Sequence, residues 1–304
     1  MIFKHIETEN EWGDAIRLRN LFNWSYPVSV DEAIAMFEHH KDRRNDFRLV
    51  GLVDGIVVAG ITITENMNSN AGDYWFNVYV DPSEPEASNW FALGIEDCLR
   101  RTTECGGKRA TIEGRGEYPW VIECLECLDF QKDQVQPYSR IDVTKTEFNY
   151  QANVVSIAEF LEANGDEGMH RFWRCEMEVA ADLPLPYPFI ETPLETFAGE
   201  VLAPMNDLTS KFLFVEDGEV KGLSQLWPSK VNPKLAANGL TGVRRAFRRQ
   251  GVATRLKQHG IAWAKNHGIE QIFTDNEENN PMFQLNLQLG FERIFDYEVY
   301  SKSC

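Results

Sequence analysis

Apolar positions along this chain follow two periods, which alternate in the same order twice. Tyr74, Phe76, Val78 and Val80 recur at every second residue, the pattern of a half-buried strand. Between Gln250 and His267 the spacing lengthens. Val252, Leu256 and Trp263 recur at steps of four and seven, with Ala253, Gly260 and Ala264 beside them, which predicts one apolar helical face. Gly268 supplies a left-handed stop after it. Further on, Asn280 suits an N-cap and Pro281 the first helical position, and Met282, Leu285 and Leu289 form the buried stripe of a second helix that ends at Gly290. A strand at 271–274 lies between the two helices. Strand, helix, strand, helix and strand in this order imply an α/β (layered α+β) fold, in which helices cover a mixed central sheet.

The first half repeats the second. Asp54-Gly55 sits between apolar runs at 49–53 and 56–64, and Asp217-Gly218 between runs at 211–216 and 220–227; each is a hairpin signal. Val80 follows Gly55 by 25 residues, and Val243 follows Gly218 by the same 25. After the strand at 74–80 come a helical stretch at 87–105, a strand at 109–112 and a helix near 119–128. Leu128-Asp129-Phe130 then stands where Leu289-Gly290-Phe291 stands in the second half, offset by 161 where the hairpins are offset by 163. Two tandem copies of one unit account for this, and 304 residues are enough for two domains. The boundary is expected near 145–150, after a last strand of the first copy at 141–144. The Pro-rich stretch 183–193 falls inside the second copy and reads as an extended connection between its early helices.

Charge singles out one segment. The chain carries a formal charge of −17, yet residues 244–257 hold six basic side chains and no acidic one. An anionic ligand is the simplest reason for such a reversal. Gly251 and Ala253 leave room for a bound group, and the unpartnered N–H groups at the start of the following helix suit a phosphate. Arg248-x-x-Gly251-x-Ala253 resembles the Arg/Gln-x-x-Gly-x-Gly/Ala signature of the GCN5-related N-acetyltransferase (GNAT) superfamily. The resemblance extends over residues 211–302: a strand ends at Val243, five positions before the signature, and a strand, an Asn-containing helix and Leu289-Gly290-Phe291 follow in order. The two-copy organisation is similar to that of tandem acetyltransferases of the mycothiol synthase kind.

The resemblance implies a division into 1–146, a degenerate GNAT domain without the cofactor loop, and 147–304, a GNAT domain binding acetyl-CoA as co-substrate. Val243, Arg248, Arg249, Gln250, Gly251, Val252, Ala253 and Thr254 would hold it, together with Asn279 and Asn286. In the first copy the signature positions are Pro85-Glu86-Ala87-Ser88-Asn89-Trp90, where two carboxylates (Glu84 and Glu86) and a bulky Trp90 oppose a pyrophosphate. The implied activity is N-acetyl transfer to a small amine-bearing acceptor, directly in a ternary complex. The position of the family's usual tyrosine acid is Asn286, and no carboxylate stands at 235–242, where the usual base would be. Asp275, at the end of the next strand, is the catalytic candidate by topology; it could equally bond the N–H groups of the turn that follows. With both usual positions vacant, a non-catalytic acyl-CoA-binding sensor or regulatory module is the alternative.

The remaining signals exclude other classes. Cys124-x-x-Cys127 has no second pair and no nearby histidines, so no metal site is expected. No apolar run approaches a membrane span and no signal-peptide pattern is present, which predicts a reduced, cytoplasmic protein with no membrane role. The acidity opposes nucleic acid and favours a cationic acceptor. Both a monomer and a homodimer fit the sequence.

Overall fold

Contacts divide the chain into two compact units, Met1–Tyr138 with Ile294–Cys304, and Ser139–Arg293. The structure, a computed structural model, describes residues 1–40, 46–66, 72–184, 189–203 and 206–304. The Pro-rich stretch does lie between two helices, but its residues 185–188 are outside those described.

The first unit begins with β1 (Ile2–His5), α1 (Glu9–Phe22) and α2 (Val30–His40). There follow the hairpin of β2 (Asp46–Val53) and β3 (Ile56–Glu65), then β4 (Asp73–Tyr79), α3 (Ala87–Glu104), β5 (Arg109–Arg115), α4 (Pro119–Cys127) and β6 (Gln131–Asp142). Asp54 and Gly55 turn the hairpin with φ of 49° and 80°, both positive, as the right-handed twist of the flanking strands requires. The last strand of the chain, β12 (Glu292–Ser303), pairs antiparallel with β5 from Tyr297↔Arg115 to Ser303↔Arg109. Sheet order in this unit is therefore β1-β2-β3-β4-β5-β12. The contacts thus divide the chain differently from a contiguous cut at 146/147. A strand belongs to whichever ladder takes up its N–H and C=O groups, and for residues 294–304 that ladder is on β5. The strand expected at 141–144 is also displaced. β6 ends at Asp142, whose carboxylate accepts from Thr144 N–H at 3.1 Å and starts a single 3-10 turn over Val143–Lys145.

The second unit contains β7 (Val154–Ser156), α5 (Ile157–Ala180, interrupted at Gly165), α6 (Leu194–Val201) and the hairpin of β8 (Lys211–Glu216) and β9 (Glu219–Pro228). β10 (Leu235–Val243), α7 (Val252–Asn266), β11 (Gln271–Asp275) and α8 (Pro281–Gln288) complete it, with sheet order β11-β10-β9-β8-β7. Asp217 and Gly218 repeat the positive-φ turn at 55° and 78°. Most of the α7 stripe packs as its period predicts. Val252, Leu256 and Ala264 are buried against Phe212, Leu226 and Ile272, at about 1.5–3 kcal/mol for each large side chain fully removed from water. Trp263 is only partly buried, while Ile261, outside the expected stripe, is buried with them. Asn280 caps α8 by accepting from Met282 N–H at 2.9 Å.

The sheet of the second unit opens at one point. β10 and β11 are parallel, but they pair only from Leu235↔Gln271 to Ala237↔Phe273 and then part. β10 also bulges against β9 between Asn238 and Thr241. Parallel strands that separate at their carboxyl ends leave a crevice where backbone groups are not spent on the ladder.

Candidate active site in the second unit

A cleft of about 780 Å³ fills that crevice, within the range of small-molecule sites. One wall is β10 from Asn238 to Val243, and the other is Thr274, Asp275 and Asn276 at the end of β11. The start of α7 and the start of α8, at Asn280 and Pro281, close it.

The α7 start is built by backbone conformation. A 3-10 turn at Arg245–Phe247 leads to Arg249 and Gly251, whose φ values are 62° and 77°. Gly251 is the N-cap, and no side chain caps the helix. A Cβ on Gly251 would meet nothing within 4 Å, so the left-handed backbone, not crowding by neighbouring protein atoms, is what favours glycine here. The N–H groups of Val252, Ala253 and Thr254 precede the first helical bond, Arg255 N–H to Gly251 C=O at 3.1 Å, and their residues line the cleft. Val243, Arg248, Arg249 and Gly251 line it too. Gln250 does not. It is exposed, and its Nε2 donates to Ala246 C=O at 3.4 Å.

The basic segment is less bare than its sequence implies. Two carboxylates near the end of α5 reach it. Glu178 accepts from Arg244 Nε and from Arg245 N–H, each at 2.8 Å, and Asp182 pairs with Arg245 and Arg248. Arg248 Nε also donates to Val243 C=O at 2.9 Å, which ties the turn to the end of β10. The hydrogen bond from Arg245, with that from Arg248, holds the Asp182 carboxyl down at about 2. Burial alone would raise Glu178, but its bonds from Arg244 and Arg245 keep it below the usual range. Among the described residues Arg249, which lines the cleft, has no ion-pair partner.

Asp275 stands in the cleft, as its topology predicts. Surrounding protein pushes its carboxyl up and the charge of Lys257 pulls it down; its exposure to water in the cleft limits the upward push. The two asparagines expected to meet the cofactor lie elsewhere. Asn279 is exposed and gives its side-chain amide to Glu277 at 2.8 Å, while its neighbour Asn280 caps the helix and lines the cleft. Asn286 is completely buried, is not part of the cleft wall, and donates from Nδ2 to Asn276 Oδ1 at 2.5 Å. It therefore meets the cleft only through Asn276. Asn286→Ala is expected to destabilise the protein by about 1–3 kcal/mol, measured by urea unfolding, because it strands a buried network. If stability were unchanged while coenzyme A affinity collapsed, Asn286 would be a direct cofactor contact after all.

Sequence reading missed two polar groups of the cleft, Lys257 and Asn238, and a third, Glu176, that lines a separate cavity. Lys257, on α7, is 3% exposed, lines the cleft, and donates from Nζ to Asn238 Oδ1 at 2.6 Å. Asn238 in turn donates to Gln225 C=O at 2.9 Å and to Gly239 C=O at 3.0 Å, which fixes the bulge. Glu176, on α5, accepts from Gln225 Nε2 at 3.1 Å; burial raises its carboxyl to about 7 against the pull of Lys211. A signal for Lys257 was present in the sequence, since it lies on the small-residue stripe of Ala253, Gly260 and Ala264 where an apolar residue would be expected.

The corresponding splay of the first unit is plugged. β4 and β5 pair in parallel only from Asp73↔Arg109 to Phe76↔Ile112, but the space beyond is about 40 Å³. Arg115, 1% exposed, lines it with Phe22, Phe91 and Tyr297. Its Nη1 donates to Asn23 Oδ1 at 2.6 Å and to Tyr297 Oη at 3.0 Å, and its Nη2 lies 2.5 Å from Glu117. Its guanidinium also stacks near the Phe295 and Tyr297 rings, at 4.6 and 5.2 Å. β4 pairs with β3 without a bulge, and the residue before α3, Glu86, has an ordinary φ of −92° in place of a left-handed glycine. Trp90 packs against the core.

Residues 168–291 match the acetyltransferase (GNAT) family. Among solved structures, the chain is similar to a tandem GNAT protein from the clavulanic acid biosynthesis pathway, with a TM-score of 0.76 at 14% identity over 99% of this chain and 98% of that one. It is also similar to a GCN5-related N-acetyltransferase from Sphaerobacter thermophilus, with a TM-score of 0.71 at 14% identity over 99% and 95% of the two chains. Saccharomyces cerevisiae N-myristoyltransferase with bound myristoyl-CoA gives 0.66 at 10% identity, over 99% of this chain and 77% of that one. At these identities the likeness is one of fold. No curated protein matches the sequence.

Proposed function

The chain carries a domain of the acetyltransferase (GNAT) family over residues 168–291, within a two-domain acetyltransferase fold, and on that premise we propose that it transfers acetyl from acetyl-CoA to a small amine, with the chemistry in the second unit. The observation that carries this reading is the contrast between the two splays: an open cleft of about 780 Å³ with a left-handed glycine at its helix start, against a remnant of about 40 Å³ lined by a buried arginine. Other features support it. The N–H groups of Val252, Ala253 and Thr254, with Arg249 beside them, suit the pyrophosphate. The β10 edge at 238–243, left unpaired by β11, suits the amide groups of the pantetheine arm. The thioester would then lie near the bulge, and an acceptor amine attacking its carbonyl carbon would lose a proton to Asp275 or to water. The net charge of −17 favours a cationic acceptor. Among the described residues no helix is long and apolar enough to cross a membrane.

Calorimetric titration is expected to give one coenzyme A per chain; two equivalent sites would sink the assignment to the second unit. Thiol release from acetyl-CoA across a panel of small amines then separates an enzyme from an acyl-CoA-binding sensor, which would bind coenzyme A and release none.

A further inference from the structure

We propose that Lys257 is the proton donor of this cleft, delivering a proton to the coenzyme A sulfur as the thioester bond breaks. The inference rests on the reading of the cleft as an acetyl-CoA site.

Three observations lead to it. First, Lys257 is buried where a hydrocarbon would pack at lower cost. It shares a stripe with Ala253, Gly260 and Ala264, the Phe291 ring lies 5.4 Å from its Nζ, and a charge without an ion-pair partner is costly inside a protein. Second, the ammonium has three donors and, among the described residues, one is used, on Asn238 Oδ1. Lys257 also lines the cleft beneath the bulge of β10, so its remaining protons have somewhere to go. Third, the other ionisable groups lining the cleft are not free to protonate a thiolate. Asp182 is held as a carboxylate by Arg245 and Arg248, Asp275 takes the proton of the attacking amine, and Asn276 and Asn280 are amides.

Titration behaviour agrees with this geometry. Burial lowers the Lys257 ammonium to about 7, and Asp275, on β11, is the charged group whose field opposes that shift. From β10 the side chain is met by the neutral Asn238, and after α8 by the neutral Phe291. An acid poised there is weaker than water-exposed carboxyls but stronger than a thiol, whose ordinary value is about 8.5, so transfer to a departing thiolate runs downhill. The step balances. The acceptor nitrogen bonds to the thioester carbonyl carbon, the C–S bond breaks with its electron pair on sulfur, and a Lys257 N–H proton moves to that sulfur. The surplus proton of the acylated amine passes to the Asp275 carboxylate and from there restores the Lys257 ammonium, leaving amide and thiol.

The test uses the full chain, acetyl-CoA, and hydroxylamine as a small acceptor probe, with calorimetry of coenzyme A beside it. Lys257→Met is expected to bind coenzyme A within about threefold of the parent while thiol release falls by about 10²–10⁴-fold, the usual contribution of a proton-transfer group. The parent's turnover should decline as pH rises through about 7, where Lys257 loses its proton, and the variant should lack this limb. Lys257→Arg keeps the charge but cannot release a proton, so it should not restore turnover. Rescue by arginine, a limb retained in Lys257→Met, or turnover within threefold of the parent would overturn the proposal. A parent that binds coenzyme A but releases no thiol would overturn it as well, whereas a parent that does not bind coenzyme A refutes the cofactor reading beneath it. Should neither variant fold, trace acetylation of the parent with acetic anhydride decides. Lys257 should be labelled with a midpoint near 7 and protected by coenzyme A, and labelling indifferent to bound coenzyme A would sink the idea.

Discussion

Gly251→Trp is expected to abolish coenzyme A binding while leaving both units folded. Two separate costs are involved. At φ of 77°, any side chain pays a left-handed backbone penalty of roughly 1–2 kcal/mol, which Gly251→Ala alone would report. The space in front of a Cβ at this position is open, so the added bulk meets no protein atom and does not expand the core. An indole there instead covers the N–H groups of Val252, Ala253 and Thr254, the group a pyrophosphate would need. Affinity should fall by at least about 100-fold for Trp, or about 2.8 kcal/mol, and by much less for Ala. Calorimetry with thermal unfolding as control measures both. A tryptophan variant that binds coenzyme A normally would remove the turn from the site.

Arg115→Ala is expected to be among the most destabilising single changes in the first unit, at about 3–5 kcal/mol. The guanidinium is 1% exposed and holds together Asn23 from the end of α1, Tyr297 from β12, and Glu117. Truncation opens the space between β4 and β5, takes from Asn23 Oδ1 the donor it has in Arg115, and leaves Glu117 with the Trp24 indole N–H. Arg115→Met keeps the hydrocarbon stem and should recover part of the loss. Urea unfolding gives the magnitude, and hydrogen exchange at the β5 amides locates it. Neither variant should create a second coenzyme A site, because the start of α3 still lacks a left-handed turn. If Arg115→Ala left unfolding and β5 exchange unchanged, the buried arginine would not be what fills this splay.

Much of the second unit's cleft wall was legible in the sequence because its causes are local. A positive φ selects glycine at 251, and an Asp-Gly pair turns each hairpin. The 3.6-residue stripe of α7 and the cap at Asn280 likewise depend only on neighbours a few residues away. The repeat was legible for the same reason, since two hairpins at one offset require two similar local patterns.

Where partners come from distant parts of the chain, the sequence misled. The arginine run looked bare because Glu178 and Asp182 stand more than sixty residues away and are brought to it by α5. Asn286 and Asn279 sat at promising spacings, but which side of a short helix faces a crevice depends on how the helix is docked. Docking gave the cleft Asn276 and Asn280 instead.

What the sequence by itself determined is a tandem α/β fold and one phosphate-suited turn in its second half, because backbone conformation and side-chain period are set within a few residues. What only the tertiary structure decided is the pairing of β12 with β5, the plugging of one splay by Arg115, and the burial of Lys257 against Asn238 beside an open one. Each is a choice among partners far apart in the chain. It is settled by which arrangement satisfies the most buried polar groups, and no local pattern encodes that count.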